Sequence, residues 1–242
     1  MHKYYLTIIL ILSLAYIYLI IRSRRLANEL DEIRKNQQET IIHIAHQLKT
    51  PLATAKNKLH LLKGEKRDLG FIDQTLDKLT FFIKNLLLIA QLDTNTLPFF
   101  FQDIDLTNTM KNLVSYFEVA SEEKNIQFNY DIQEGVMVEI DKARLTDALS
   151  NIITNAIKYC DENSKIELTL KKKSNIHITI TDNGPGISST VLKNIFQPFY
   201  KGENSNGTGI GLYISKKTLE NMDAILDIES VEGKGTTFYI TI

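Results

Sequence analysis

The segment that decides the fold reads Asp182-Asn183-Gly184-Pro185-Gly186-Ile187, and it directly follows an alternating stretch, residues 176–181, that predicts a β-strand. A carboxylate at the end of a strand can accept a hydrogen bond from the exocyclic amine of adenine, whereas it would repel the carbonyl oxygen of guanine. The two glycines let the backbone approach the ring. Because Asp-Asn-Gly is also typical of a plain turn, the interpretation depends on the flanking sequence.

Upstream of this segment, residues 141–159 predict a helix that carries Asn151 and Asn155. Their spacing puts both on one helix face, where their side-chain oxygens can approach a Mg²⁺ ion that keeps most of its waters and bridges to phosphates. Lys158, about one turn further, can pair with phosphate oxygens. A pair of asparagines is more often a polar surface pattern, so its weight comes from the motifs that follow.

Downstream, the sequence Gly207-Thr208-Gly209-Ile210-Gly211-Leu212 leads into a predicted helix, residues 211–221. Glycines at alternate positions expose backbone N–H groups, and the positive end of the helix dipole favours phosphate. The order of elements does not fit the dinucleotide fingerprint, whose glycines follow the first strand of a parallel unit. The preceding residues 196–200 predict a mobile segment whose apolar rings anchor a lid, with core packing as the alternative for each phenylalanine. Residues 232–238 predict a structural turn.

The distal part of the chain mixes helices and strands. We predict helices at residues 106–123, 141–159 and 211–221, and strands at 126–132, 165–170, 176–181 and 237–242. Because strands and helices do not alternate regularly, the pattern favours an α+β layer with helices on one face of a mixed sheet. The segment 94–103 has no clean period and is interpreted as a linker with some docking surface.

The proximal part predicts a helical hairpin. Residues 22–63 form one long predicted helix, residues 63–70 a turn, and residues 69–93 a second helix. The second helix repeats apolar residues with the 3.5-residue period of a packing seam, at Ile72, Leu76, Leu79, Ile83, Leu86 and Ala90. Two helices cannot shelter this much apolar surface, whereas two hairpins from two chains form a four-helix bundle. We therefore expect a homodimer.

The N-terminal segment, residues 4–21, predicts a transmembrane helix, because 18 residues of helix span about 27 Å. Arg22, Arg24 and Arg25 follow it, which orients the N-terminus outside and the rest of the chain in the cytoplasm. The alternative is a cleaved signal peptide with Ser13-Leu14-Ala15 as its cleavage site. Cleavage would export the adenine-type site to where no ATP exists. Only three residues precede the helix, which leaves no room for an extracellular sensing domain. If the chain senses a signal, we expect detection within the bilayer, through a partner membrane protein, or in the cytoplasm.

Composition excludes several classes of protein. The formal net charge of −1 gives no support for direct nucleic-acid binding. Cys160 is the only cysteine, which excludes disulfides within the chain and a cysteine-rich zinc site.

His46 differs from the other histidines by its surroundings. On a helical wheel it falls about 150° from the apolar cluster of the first helix, so it points to solvent, with Thr50 nearly beneath it. Pro51 leaves the carbonyl of Gln47 without its helical partner, which predicts a bend beside His46. An imidazole is substantially neutral at cytosolic pH, and its unprotonated nitrogen is a competent nucleophile toward phosphorus.

The sequence His46-Gln47-Leu48-Lys49-Thr50-Pro51-Leu52 resembles the phosphoacceptor box of bacterial sensor histidine kinases. Gln47 stands where most members carry Glu or Asp, the group thought to help take the proton of the histidine. Either phosphate transfer is slower here, or an amide that orients the ring is sufficient. In the same resemblance Thr50 positions a water that removes phosphate from the partner.

The distal motifs, in this order, closely resemble the ATP-binding domain shared by sensor histidine kinases and gyrase-type ATPases. The resemblance runs from about residue 41 to the C-terminus and implies ATP and Mg²⁺ as cofactors, with Asn155 and Asn151 near the metal. The nucleotide contacts that it implies are Asn151, Asn155, Lys158, Tyr159, Asp182, Gly184, Gly186, Ile187, Phe199, Lys201, Gly207, Thr208, Gly209, Gly211, Leu212 and Thr236. Asn151 stands where gyrase-type ATPases place the glutamate that activates water, so hydrolysis should be slow.

The resemblance predicts a membrane-anchored sensor histidine kinase whose catalytic residues are His46, Gln47 and Thr50. Its predicted domains are a transmembrane helix at 1–22, a dimerisation and phosphotransfer hairpin at 23–93, a linker at 94–102, and an α/β sandwich ATP-binding domain at 103–242. The partner that it implies is a response regulator with an acceptor aspartate. Two alternatives stay open: a phosphatase-dominant member, because of Gln47, and a membrane-tethered dimer that binds ATP without chemistry.

Overall fold

The computed structural model describes residues 69–93, 96–202 and 207–242, together with residues 16, 18–26, 44, 47, 48, 50, 51, 53–55 and 57. Most of the predicted transmembrane segment, as well as His46, lies outside these residues. Among the residues described, no helix is both long enough and apolar enough to cross a bilayer. The chain divides into two compact units, Met1–Leu79 and Thr80–Ile242.

In the first unit, every described residue before Leu69 is helical, in keeping with the predicted first helix. Helix α1 (Leu69–Asp93) has the predicted bounds and contributes residues to both units. Its side chains fall into two groups. Phe82, Ile89 and Leu92 are buried, whereas Leu76 and Ile83 of the predicted seam are 50% and 51% exposed within the single chain.

The second unit contains two sheets. Strands β1 (Gln102–Asp105) and β3 (Met137–Ile140) pair antiparallel as a two-stranded sheet. A five-stranded sheet has the order β2-β4-β5-β7-β6, in which β2 pairs parallel with β4 and every other pair is antiparallel. Its strands are β2 (Gln127–Ile132), β4 (Lys165–Lys172), β5 (Ile176–Asp182), β6 (Ile225–Val231) and β7 (Gly235–Thr241). The predicted mixed sheet is confirmed.

One face of this sheet is covered by helices. Alternate residues of the central strands are buried, as in Ile166, Leu168 and Leu170 of β4, and they join one apolar core with the helices. The helices are α2 (Leu106–Glu122), α3 (Lys142–Tyr159), the short α4 (Ser189–Leu192) and α5 (Gly211–Glu220). The α+β class is therefore confirmed, as a two-layer sandwich.

Two aspartates fix where the helices of the sandwich begin. Asp105 accepts a hydrogen bond from the backbone of Asn108 at 2.9 Å and caps α2. Asp141 caps α3 through Arg144, at 3.0 Å, and its second oxygen accepts from the backbone of Phe100 at 2.9 Å. Although burial opposes the effect, these hydrogen bonds lower the pKa of Asp141. The cap of α3 thus also anchors the segment that precedes β1.

Four elements differ from the sequence predictions. Strand β1 begins inside the stretch interpreted as a linker, and β3, β6 and α4 were not predicted. Strands β1 and β3 each bury a single residue, Ile104 and Ile140, so neither has an alternating pattern long enough to detect. The predicted domain boundaries stay predictions.

Candidate functional site

A cavity of about 890 Å³ opens beside α3, the segment after β5 and the loop before α5. The structure brings most of the predicted nucleotide contacts together in its wall: Asn151, Asn155, Lys158, Tyr159, Asp182, Gly186, Ile187, Lys201, Gly207, Thr208, Gly209, Gly211, Leu212 and Thr236. Two predicted contacts, Gly184 and Phe199, are not among the residues that line it.

Asp182 lines the cavity where β5 ends, opposite Thr236 of β7. Its Oδ1 atom accepts a hydrogen bond of 2.9 Å from the backbone N–H of Gly184. Burial raises the pKa of Asp182, while the backbone N–H groups of Gly184 and Thr236 act in the opposite direction. The carboxylate is thus held in a fixed position and is poorly solvated, which strengthens any hydrogen bond that it accepts from a ligand.

The segment after Asp182 is packed against neighbouring backbone. Gly186 has a φ of +67°, and a Cβ atom there would lie 2.1 Å from the carbonyl oxygen of Val231, so only glycine fits. A Cβ atom at Gly184 would lie 3.1 Å from Sγ of Cys160, which is buried beneath the segment. Burial, with the nearby charge of Asp182, raises the pKa of Cys160 to about 11.

Helix α3 supplies the polar wall. Asn151 lies against the start of α5, since a Cβ atom at Gly211 would be 3.7 Å from its Oδ1 atom. The two helices are held together by the buried hydroxyl of Ser215, which donates to the carbonyl of Ala148 at 3.1 Å. Asn151 therefore lies close to the glycine loop, residues 207–211, and both line the cavity.

Asp147 and Arg144 also line the cavity, although neither was predicted from the sequence. Asp147 precedes Asn151 by one helical turn on the same face, which is the signal that could have revealed it. Burial raises the pKa of Asp147, while Arg144 acts in the opposite direction. The part of the wall that α3 supplies thus carries one acidic and one basic side chain in addition to the two asparagines.

The glycine loop is hydrogen-bonded to the predicted lid segment, residues 196–200. The backbone N–H of Phe199 donates to the carbonyl of Gly209 at 2.9 Å. Gly209 has a φ of +70°, and a Cβ atom there would lie 2.6 Å from the carbonyl oxygen of Tyr200. Phe199 itself is buried with a φ of +65°, and its ring centroid lies 5.9 Å from that of Phe82 in α1. Residues 203–206, between the two segments, lie outside the described part of the chain.

Three residues of α1, Phe81, Asn85 and Leu88, complete the wall within the second unit. The sequence did not reveal them, because their helix was assigned to dimerisation.

The predicted phosphoacceptor box belongs to the first unit. His46 lies outside the described residues. Gln47 is helical and half-buried, and Thr50 is helical and exposed.

Comparison with known proteins identifies the class to which the domain belongs. Residues 140–242 match the family described as histidine kinase-, DNA gyrase B-, and HSP90-like ATPase. Most of the residues that line the cavity therefore lie within the part of the chain that matches this family.

Over most of its length the chain is homologous to bacterial sensor proteins and sensor histidine kinases. It is 32% identical over 221 residues to the heme sensor protein HssS of Staphylococcus saprophyticus, an alignment that covers 88% of this chain and 47% of HssS. It is 30% identical over 212 residues to the sensor protein VanSC of Enterococcus gallinarum, covering 82% of this chain and 58% of VanSC. The chain thus spans about half the length of these relatives.

The fold is shared with the Acinetobacter baumannii histidine kinase AdeS. The TM-score is 0.66 at 22% identity, over 81% of this chain and 96% of the AdeS chain.

Proposed function

We propose that the chain is a sensor histidine kinase that phosphorylates its own His46 from ATP and passes the phosphate to an aspartate of a response regulator. The observation that carries the proposal is that Asp182, Asn155 and the loop 207–211 line one cavity. A carboxylate at one end suits the amine of adenine. Exposed N–H groups at the start of α5 suit phosphates.

The donors in this cavity fit a magnesium nucleotide. Asn151 and Asn155 offer neutral amide oxygens, and within the described ranges no group of three His, Cys, Asp or Glu could enclose a metal. Mg²⁺ suits such a site because it keeps several waters and is held mainly by substrate phosphates. Bound there, the ion would neutralise phosphate charge. Lys158 and Lys201 would pair with phosphate oxygens.

The proposed reaction begins with the unprotonated ring nitrogen of His46. This nitrogen attacks the γ-phosphorus in line, so that an N–P bond forms while the bond from phosphorus to the bridging oxygen breaks, and ADP leaves with that electron pair. The proton on the other nitrogen is released to solvent. Gln47 can accept a hydrogen bond from the ring but cannot take its proton. A carboxylate oxygen of the regulator's aspartate then attacks the phosphorus, the N–P bond breaks, and the ring nitrogen of His46 recovers that electron pair.

The homodimer belongs to the same proposal. Leu76, Ile83 and Leu87 of α1 are at least half exposed within the single chain, whereas Phe82, Ile89 and Leu92 are buried. A second copy would cover the exposed group in a four-helix bundle.

The membrane anchor is proposed from the sequence of residues 4–21 and the arginines that follow. The protein would then cross the cell membrane once, with its N-terminus outside and its kinase domains in the cytoplasm. A partner membrane protein would be one route by which the signal arrives.

Radiolabelling tests the kinase activity. The full chain incubated with γ-labelled ATP and Mg²⁺ is expected to acquire an acid-labile label that His46→Ala abolishes. His60→Ala, on the same predicted helix, is the matched control and is expected to keep the label. Label that persists in His46→Ala would contradict the proposal.

Gln47 favours a second candidate, a phosphatase-dominant member that uses Thr50. That candidate predicts weak labelling of the chain and rapid loss of phosphate from the regulator, abolished by Thr50→Ala. A non-catalytic dimer would bind ATP and yield no phosphoprotein and no loss of phosphate from the regulator.

A further inference from the structure

Three polar side chains lie in a row across the sheet beside the cavity. Asp182 of β5 is directly opposite Thr236 of β7, and Thr236 is directly opposite Ser230 of β6. Directly opposed residues of antiparallel strands project to the same face of a sheet. Asp182 and Thr236 line the cavity. Ser230 does not line it, but its hydroxyl contacts Ile187 and Thr236, which do.

The hydroxyl of Ser230 makes three hydrogen bonds. It accepts from the backbone N–H of Ile187 at 2.8 Å, and it lies 2.9 Å from the carbonyl oxygen of Gly235 and 2.9 Å from the hydroxyl of Thr236. A carbonyl oxygen can only accept, so the one proton of Ser230 goes to Gly235. The hydroxyl of Thr236 must therefore donate to Ser230. No other assignment of the two hydroxyl protons satisfies all three contacts.

This assignment fixes what Thr236 can offer a ligand. Because its proton is committed to Ser230, the oxygen of Thr236 presents only lone pairs. The neighbouring carboxylate of Asp182, when ionised, also presents only lone pairs. The cavity thus contains two adjacent groups that accept hydrogen bonds and donate none.

We propose that Ser230 is a specificity-determining positioning residue, which fixes the direction of the Thr236 hydroxyl so that this end of the cavity selects a 6-amino purine over a 6-keto purine. The inference rests on the proposed nucleotide site. The amine of adenine carries two N–H donors that match a pair of acceptors, either directly or through a water. The carbonyl of guanine is itself an acceptor, so it offers no hydrogen to either Asp182 or Thr236.

Ser230→Ala tests this role. Without Ser230 the hydroxyl of Thr236 is free to rotate and to donate to a carbonyl. The ratio of GTP to ATP dissociation constants is therefore expected to fall about threefold to tenfold, the range of a typical hydrogen bond. The measurement is displacement of a fluorescent ATP analogue from the full chain by ATP and by GTP, each with Mg²⁺.

Thr237→Val is the matched control. The Thr237 hydroxyl lies 3.2 Å from that of Thr181, its register partner, and the two project to the opposite face of the same strand pair. Its loss also removes one hydroxyl contact between β5 and β7, but the nucleotide ratio is expected to stay unchanged. Ser230→Thr keeps a hydroxyl at position 230 and is expected to retain the ratio of the wild type.

A double variant separates selectivity from general damage. In a Thr236→Val background, adding Ser230→Ala should leave the ratio unchanged, because the oriented oxygen is already gone. Equal weakening of ATP and GTP binding by Ser230→Ala, or a further change in the double variant, would overturn the inference. Should Ser230→Ala lose its folded circular dichroism signal, Ser230→Val replaces it, because valine also lacks a hydroxyl and suits a strand, and an unchanged ratio there would refute the proposal. A wild-type chain that binds no ATP would instead refute the nucleotide site itself.

Discussion

The hydroxyl of Tyr213, in the first turn of α5, donates a hydrogen bond to the carboxylate of Asp93, the last residue of α1. Burial and this bond to Asp93 raise the pKa of Tyr213 well above its ordinary range. Because Phe82 of the same helix packs against Phe199, α1 contacts both the lid segment and the helix that follows the glycine loop. The second unit therefore depends on α1 for its stability.

Replacing Tyr213 by phenylalanine should lower the free energy of unfolding by about 1 kcal/mol, the typical net value of one hydrogen bond, because Asp93 is exposed and can be resolvated. Urea unfolding followed by circular dichroism measures the change. Tyr239→Phe is the control. It also removes one hydroxyl, which in the wild type donates a hydrogen bond of 3.0 Å to Glu229 on the exposed side of strands β6 and β7. Equal destabilisation by the two variants would contradict the expectation.

The raised pKa of Tyr213 also predicts a dependence on pH. In the unfolded chain the phenol ionises near its ordinary value of 10.0, whereas in the folded chain it keeps its proton to higher pH. Unfolding then releases a proton, so stability falls as pH rises above that value. The advantage of the wild type over Tyr213→Phe should therefore shrink in alkaline solution. An advantage that is independent of pH would contradict this.

Gly209→Ala should weaken the affinity for the nucleotide about tenfold or more, because the new Cβ atom would lie 2.6 Å from the carbonyl oxygen of Tyr200. Gly135→Ala is the matched control. Gly135 has the same φ of +70°, but a Cβ atom there meets nothing within 4 Å. Gly135→Ala should lower the free energy of unfolding by about 1 kcal/mol through backbone strain and leave nucleotide binding unchanged. Isothermal titration with Mg-ATP distinguishes them, and equal affinity in both variants would refute the argument.

Acidification should weaken ATP binding at a higher pH than an ordinary aspartate would produce. Burial raises the pKa of Asp182 above its usual 3.8, and the ionised carboxyl accepts a stronger hydrogen bond from the adenine amine than the protonated carboxyl does. Asp182→Asn should bind more weakly at neutral pH and lack this dependence, whereas titration of the phosphates is common to both proteins. Affinity that falls with pH identically in both would contradict the assignment.

The same raised pKa makes Asp182 costly for the fold. At neutral pH its ionised form is desolvated, so stability declines as pH rises from 3.8 through the higher folded pKa. Asp182→Asn should therefore unfold at an equal or higher urea concentration than the wild type at neutral pH. This measurement separates lost binding from lost folding.

Gln47→Glu should accelerate autophosphorylation by about 100-fold, the lower range for a positioned general base. The initial rate of radiolabelling measures the change. Gln38→Glu, on the same predicted helix but outside the phosphoacceptor box, is the control. An unchanged rate in Gln47→Glu would favour the alternative in which an orienting amide suffices.

The helices of the chain were largely predictable from the sequence. The repeat of apolar residues in α1 predicted both ends of that helix. Asp105 and Asp141, which cap α2 and α3, stand in the sequence directly before those helices begin. Strands β4 and β5 were predictable because their alternation is regular. Burial of one face of these strands follows directly from that pattern.

Strand β6, which was not predicted, and the pairing of the strands depend on features that a local pattern does not contain. Strand β6 carries apolar residues on its exposed side, at Ile225 and Val231, which blurs its alternation. The parallel pairing of β2 with β4 joins segments that are distant in the chain. No spacing of residues encodes such a partner.

For the candidate site, the sequence identified residues but not their connections. The structure gathers most of the predicted contacts in one cavity, whereas their contacts with a nucleotide stay predictions. Phe81 and Asn85 were unpredictable as lining because their helix carries the stronger signal of a dimer seam. Ser230 was missed because its role depends on proton directions across three strands.

Cys160, the single thiol of the chain, is buried under the segment that follows Asp182, with a pKa of about 11. Maleimides and iodoacetamides react with thiolates, so near neutral pH they should leave this side chain unmodified. A cysteine introduced at an exposed site beside the glycine loop, as in Lys201→Cys, would then take up a fluorophore or spin label alone. The native chain is thus already suited to site-directed labelling, with no background thiol to remove.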